Sequence, residues 1–245
     1  MKPCTRRVVR MTSWTTAGGG HIRAVVEDDY HHFRVALEHD GTRITRTSAD
    51  APRQPYSLCG DAGQRLQELI GLTLSPNPSF ASQKVNARLQ CTHQFDIAAL
   101  AMAAAARGIH SRRYDVMVPD AEQGQTTATL ARDGAPLFQW EMQGSKILAP
   151  EPYAGQDIAK SFAAWVASSL EPDDAEAALI MRRTVFISGA RTAPPEVLNR
   201  REPRGGCWVH QPERYFTAQP MHSNQDFTNR PEALTADDDE WLAPK

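Results

Sequence analysis

In "IRAVVEDDYHHFRVALEHDGTRITR", residues 22–46, apolar and polar residues alternate with the period of two that sends successive side chains to opposite faces of a strand. An acidic turn and an Asp40-Gly41 turn divide the run; glycine accepts positive φ without strain, and aspartate tolerates it better than most residues. A three-stranded antiparallel meander is predicted. Pro55-Tyr56 follows, and then "GDAGQRLQELIGL", where Leu66, Leu69 and Ile70 fall at i, i+3, i+4 and predict a helix. The same order returns in "YDVMVPDAEQGQTTATLARDGAPLFQWEM" with its Asp133-Gly134 turn, then Pro152-Tyr153, then "IAKSFAAWVASSL" with Phe162, Trp165 and Val166 at helical spacing. A second helix is expected in each stretch, around 97–106 and 175–181, each running out through paired arginines, Arg112-Arg113 and Arg182-Arg183.

The expected fold class is therefore α+β: two tandem copies of an antiparallel β-meander followed by two helices, packed as a pseudo-symmetric unit. The boundaries are residues 1–19 for an N-terminal segment, 20–112 and 113–190 for the copies, and 191–245 for an irregular tail or lid. The tail contains the Pro-, Arg- and Gly-rich "RTAPPEVLNRREPRGG". The first copy also carries an insert, residues 73–90, that the second lacks. Recurrence of Asp-Gly and Pro-Tyr through turn chemistry alone is the competing explanation of the match.

Composition narrows the function classes. The 245 residues are 41% hydrophobic and 23% charged, an ordinary globular balance, and the formal net charge of −2 offers no pull on nucleic acid or an anionic membrane. No apolar run is long enough to span a bilayer, and the basic N-terminus lacks a signal peptide's apolar stretch, so a cytoplasmic protein is expected. Cys4, Cys59, Cys91 and Cys207 are far apart with no CxxC pair, and reduced thiols are expected. No dinucleotide fingerprint, P-loop, nucleophile elbow or HExxH motif is present. No cofactor and no metal are expected, and an enzyme of this composition works by acid and base groups.

Residues that break the internal symmetry are the candidates for chemistry. Aligning Leu100 with Leu179 sets His93 opposite Pro172 and Asp96 opposite Ala175, so the His and Asp of "CTHQFD" lack counterparts. Three apart at a helix start, they share a face on which the carboxylate can orient the ring, and the helix field favours a neutral imidazole beside an ionised Asp96. The same field is expected to lower the pKa of Cys91. In the other reading Cys91 or Thr92 caps the helix and His93 is a satisfied core residue. Alternation places His31 with Phe33, Val35 and Leu37, and His32 with Arg34 and Glu38 toward solvent. His31 either lines a pocket shared with His93 or meets a backbone partner.

The residues "HHFRVALEHDG", Arg53, Cys59, "LQCTHQFDIAALA" and "AEAALIMRRTVFIS" resemble the bacterial family catalogued as domain of unknown function 2889 (DUF2889), over roughly residues 20–230. The resemblance carries no settled reaction and implies an association with bacterial breakdown of aromatic compounds. The resulting expectation is a small-molecule enzyme, a lyase acting on an aromatic intermediate by elimination or retro-aldol cleavage, for example with loss of formaldehyde. His93 is the expected base, Asp96 its orienter, Arg53 an anion clamp, and His31 or Tyr114 a second proton-transfer group. Tyr56, Cys91 and Arg183 complete the expected substrate-binding set. The expected partner is a small aromatic molecule, with no nucleic acid, no membrane and a homodimer left open. The alternatives are a non-catalytic small-molecule or protein-binding module and a structural pseudo-dimer that recruits partners.

Overall fold

The computed structural model describes residues 2–193 and 205–244. The class is α+β, with antiparallel strands and helices. No described helix is long and apolar enough to cross a membrane. Among the described residues the chain divides into two units, one of 9–112 with 205–225 and 235–244, the other of 2–8, 113–193 and 226–234.

The expected N-terminal segment holds a strand that the sequence reading did not foresee, β1 (Cys4–Thr16), whose interleaved arginines mask its apolar alternation. Its residues 9–16 belong to the larger unit. There the predicted meander stands as β2 (Gly19–Asp28), β3 (His32–His39) and β4 (Ile44–Arg53), in the order β4-β3-β2-β1. β2 and β3 pair antiparallel with Glu27 opposite His32. Gly41 takes φ +95° in the β3–β4 turn, and the Asp40 carboxylate accepts the N–H groups of Thr42 and Arg43. Those bonds hold its carboxyl well below the usual range.

The stretch after Tyr56 is a 3₁₀ helix, Gly60–Leu69, instead of an α-helix. Three residues per turn align Leu66 with Leu69, both buried, and rotate Ile70 into solvent at 47% exposure, so the i+4 position leaves the apolar face. The 73–90 insert forms a short helix α1 (Phe80–Lys84) and a 3₁₀ turn at Ala87–Leu89. Next comes α2 (Thr92–Ala106), rich in alanine, the best helix former, and buried along most of its length. It lies against β2 and β3. It ends at Gly108, φ +74°, where Ile109 N–H reaches Ala104 O and Gly108 N–H reaches Ala105 O, closing the last carbonyls. Arg112-Arg113 do not prolong this helix: they lie in the next strand.

In the smaller unit β5 (Ser111–Pro119), β6 (Gln125–Arg132), β7 (Ala135–Gln143) and β8 (Lys146–Ala149) follow β1 in the order β1-β5-β6-β7-β8. Asp133 and Gly134 both take positive φ, 51° and 82°, which gives the two-residue turn that matches strand twist. Trp140 packs on Tyr153 and Phe162. Helix α3 (Phe162–Ser169) is followed by α4 (Pro172–Thr192), which runs past Arg182-Arg183 instead of stopping at them. Arg182, in the middle of α4, donates from Nε to Ile158 O at 2.8 Å, so it ties that helix to the segment before α3 and does not mark an end.

Most of "RTAPPEVLNRREPRGG" lies outside the described residues. The described tail is largely irregular, with short helices α5 (Pro212–Tyr215) and α6 (Asp239–Leu242). Its 226–234 stretch packs in the smaller unit, where Phe227 and Leu234 form a core cluster with Val8. Its last stretch, from Thr235, packs in the larger unit.

Candidate functional site

The site grows from the β2–β3 turn, Glu27-Asp28-Asp29-Tyr30-His31-His32. No glycine is present, so the turn is closed by a side chain: Asp28 Oδ1 accepts the N–H groups of Tyr30 at 2.8 Å and His31 at 2.9 Å. Strand alternation then sends neighbours to opposite faces, and Asp28 with His31 and Glu27 with His32 become two separate acid–histidine clusters.

The first cluster faces α2. His31 Nδ1 lies 2.9 Å from Asp28 Oδ1, with Asp28 fully buried and His31 12% exposed. A carboxylate only accepts, so Nδ1 carries the proton and Nε2 is the basic nitrogen of the ring. The His31 ring stacks on His93 with centroids 3.7 Å apart and planes at 25°, and Phe33 lies within 5.8 Å of His31 and 6.0 Å of His93. The sequence places His31 and His93 far apart; packing of the α2 N-terminus on β2 and β3 joins them. The ligating atoms of Asp28, His31 and His93 all lie within 4.8 Å of one another.

The second cluster faces the tail. His32, expected in solvent, is buried at 9% exposure: its Nε2 lies 2.9 Å from Asp238 Oδ2, and its Nδ1 3.6 Å from Glu27 Oε1. The returning tail covers the face that alternation alone would assign to water. Arg34 Nε donates to Asp238 Oδ1 at 2.6 Å, Arg53 Nη2 to Glu27 Oε1 at 2.9 Å, and Thr235 N–H to Glu27 Oε2 at 2.6 Å. Burial alone would raise the Asp238 pKa, but hydrogen bonds and charge from His32 and Arg34 outweigh it and hold the carboxyl below its ordinary range. This cluster clasps residues 235–238 to the hairpin.

The remaining predicted residues divide between the units. Arg53 does hold an anion, but one of the chain's own, Glu27; it also donates to Asp28 O at 2.7 Å and Asp29 O at 3.0 Å, which fixes the turn. It borders a cleft of about 410 Å³ lined by 51–54 and 221–225. Asp96 is half-buried in α2, and the carboxylate hydrogen-bonded to His31 is Asp28, which the sequence shows only as part of an acidic turn. An acid and a histidine spaced three apart across that turn were the available signal. Tyr56 stacks edge-on against His210 in the larger unit. Tyr114 and Arg183 belong to the smaller unit, where the fully buried Tyr114 hydroxyl donates to Glu176 Oε1 at 2.6 Å and Arg183 sits half-buried in α4.

Cys91 overturns its expectation. It is the N-cap residue of α2, yet burial pushes its thiol up to about 12, with backbone hydrogen bonds at Gln94 and His93 offsetting only part. Cys59 is also pushed up, by burial first and then by the neighbouring Cys91. Loss of water outweighs the helix field here, and Cys91 is no thiolate nucleophile. Iodoacetamide at pH 8 should leave Cys59 and Cys91 unmodified in the native chain and label both after urea, read by peptide mass spectrometry.

Neither a family model nor a curated protein matches the chain.

Proposed function

We propose that the chain is a small-molecule enzyme that works by proton transfer between its own side chains, a lyase acting on an aromatic compound by elimination or retro-aldol cleavage. The observation that carries this reading is the 2.9 Å contact of His31 Nδ1 with the buried Asp28 carboxylate, which fixes ring and tautomer as a general base requires. In a retro-aldol cleavage His31 Nε2 takes the proton of a substrate hydroxyl, and that oxygen's electrons form the carbonyl as the carbon–carbon bond breaks. The released carbanion then takes a proton back from the imidazolium, directly or through His93. The roles differ from those read in the sequence: His31 is the base, Asp28 its orienter and His93 the second proton-transfer group. The aromatic substrate class rests on the resemblance to the domain-of-unknown-function family, and a cytoplasmic setting fits cysteines that stand as thiols and not as disulfides. The stretches 20–112, three strands followed by helices, and 113–190, four strands followed by helices, are proposed as tandem copies, supported by the antiparallel strands that precede the helices in each and by the shared Asp-Gly turns.

Incubation of the purified chain with a pool of aromatic-catabolism intermediates, followed by mass spectrometry, tests the reading. Loss of one compound in wild type, with none in His31→Asn or His93→Ala, is the expected result. Loss that continues in both variants refutes the site.

A binding module is favoured by a different observation, a cavity of about 480 Å³ in the smaller unit, lined by Val8, Met117, Leu130, Phe138 and Leu234 with Arg6 and Arg7. Such a mostly apolar wall with a few polar groups suits a small aromatic ligand. Calorimetry that finds a ligand bound and recovered unchanged, with binding lost on Leu130→Trp, would support this second reading.

A further inference from the structure

The two acid–histidine clusters on opposite faces of the hairpin both offer three ligand atoms within 4.8 Å of one another, Asp28/His31/His93 and Glu27/His32/Asp238. Their charge separates them. Around Glu27, His32 and Asp238 the two carboxylates are already matched by two guanidiniums, Arg53 at 2.9 Å and Arg34 at 2.6 Å. A divalent ion entering there has to displace an arginine from a buried ion pair. In the first cluster the charge is one carboxylate and two imidazoles, a mixed nitrogen and oxygen set that suits borderline metals such as zinc, nickel or copper over magnesium or calcium. The three ligand atoms already lie within 4.8 Å of one another, and a turn of the His93 ring out of its stack on His31 brings a second in-plane lone pair to the ion.

Resting on the same site as the proposed reaction, we infer that Asp28, His31 and His93 form a divalent transition-metal site, and that the ion and the reaction exclude one another. The exclusion follows from the imidazole itself. A neutral ring has one basic lone pair, on whichever nitrogen lacks the proton. An ion taking Nε2 occupies it; an ion taking Nδ1, between His31 and Asp28, drives the proton to Nε2. Either way no nitrogen of His31 is left to accept a substrate proton. A bound ion therefore switches the base off, and the clasp on the other face stays intact because its ligands are already paired.

The test uses the full chain after chelator treatment, titrated with Zn²⁺ against a chromophoric chelator and separately with Co²⁺ followed by its visible absorption. One Zn²⁺ per chain is expected, weakened at least roughly 10-fold by His31→Asn and by His93→Ala, since direct ligands should cost no less than outer-shell groups do. The exposed His110→Ala serves as the control and should bind as wild type. The Co²⁺ spectrum of wild type should show nitrogen ligation, a readout that needs no variant to fold. No stoichiometric ion, or an ion retained in both variants, overturns the site. Binding is measured without substrate, so its failure leaves the proposed reaction standing, and failure of the reaction leaves the ion site standing. Where turnover is found, added Zn²⁺ should abolish it and chelator restore it; turnover that needs the ion overturns the exclusion.

Discussion

His31→Asn should lower turnover at least about 100-fold, the lower end of what a positioned general base supplies, while thermal unfolding stays within a few degrees of wild type. The small structural cost follows from where the side chain sits: His31 is at a turn, 12% exposed, and the carboxylate that closes that turn belongs to Asp28. Asp28→Asn gives the finer comparison. The hydrogen bonds from Tyr30 N–H, His31 N–H and His31 Nδ1 all run to one oxygen, Oδ1, which asparagine keeps. The substitution therefore removes the charge and leaves the acceptor. Turnover should fall about 10- to 100-fold through loss of imidazolium stabilisation, with the hairpin intact. Asp96→Asn should have the smaller effect of the two. The reverse ranking would return the orienting role to Asp96.

The second large effect is on stability. Asp238→Ala should destabilise the chain by about 3 kcal/mol or more, measured by urea unfolding, because it leaves the Arg34 guanidinium and the buried His32 without their shared carboxylate. The pH dependence has a defined sign. The Asp238 pKa is lower folded than unfolded, so its contribution is complete above an ordinary aspartate pKa of about 4 and is lost as pH falls through the depressed folded value. Wild type should lose stability on acidification below about pH 4 more steeply than Asp238→Ala, in which this titration is absent. Parallel acid profiles for the two proteins would remove Asp238 from the clasp.

Much of the larger unit was legible from local pattern. Period-two alternation found β2, β3 and β4, Asp40-Gly41 marked its turn, and the same alternation put His31 on the apolar face beside Phe33. His93 at the start of α2 followed from the alanine-rich run. What escaped the sequence was set by distant chain. His32 read as solvent-facing because nothing local shows that Asp238, 206 positions away, returns to cover it. Asp28 read as turn material because its partner lies three residues on and the pair gains meaning only when α2 delivers His93. Arg53 read as a free clamp because its anion, Glu27, sits across two strands. Cys91 shows the limit of local electrostatics: helix position predicted a lowered pKa, and burial reversed it.

The orientation of His31 can be measured without a substrate. Long-range ¹⁵N–¹H spectra of the imidazole nitrogens report which nitrogen carries the proton. A protonated Nδ1 and a bare Nε2 on His31, with that preference weakened in Asp28→Asn, is the result expected of a base held by Asp28. A proton on Nε2, or a tautomer mixture that Asp28→Asn leaves unchanged, would contradict it.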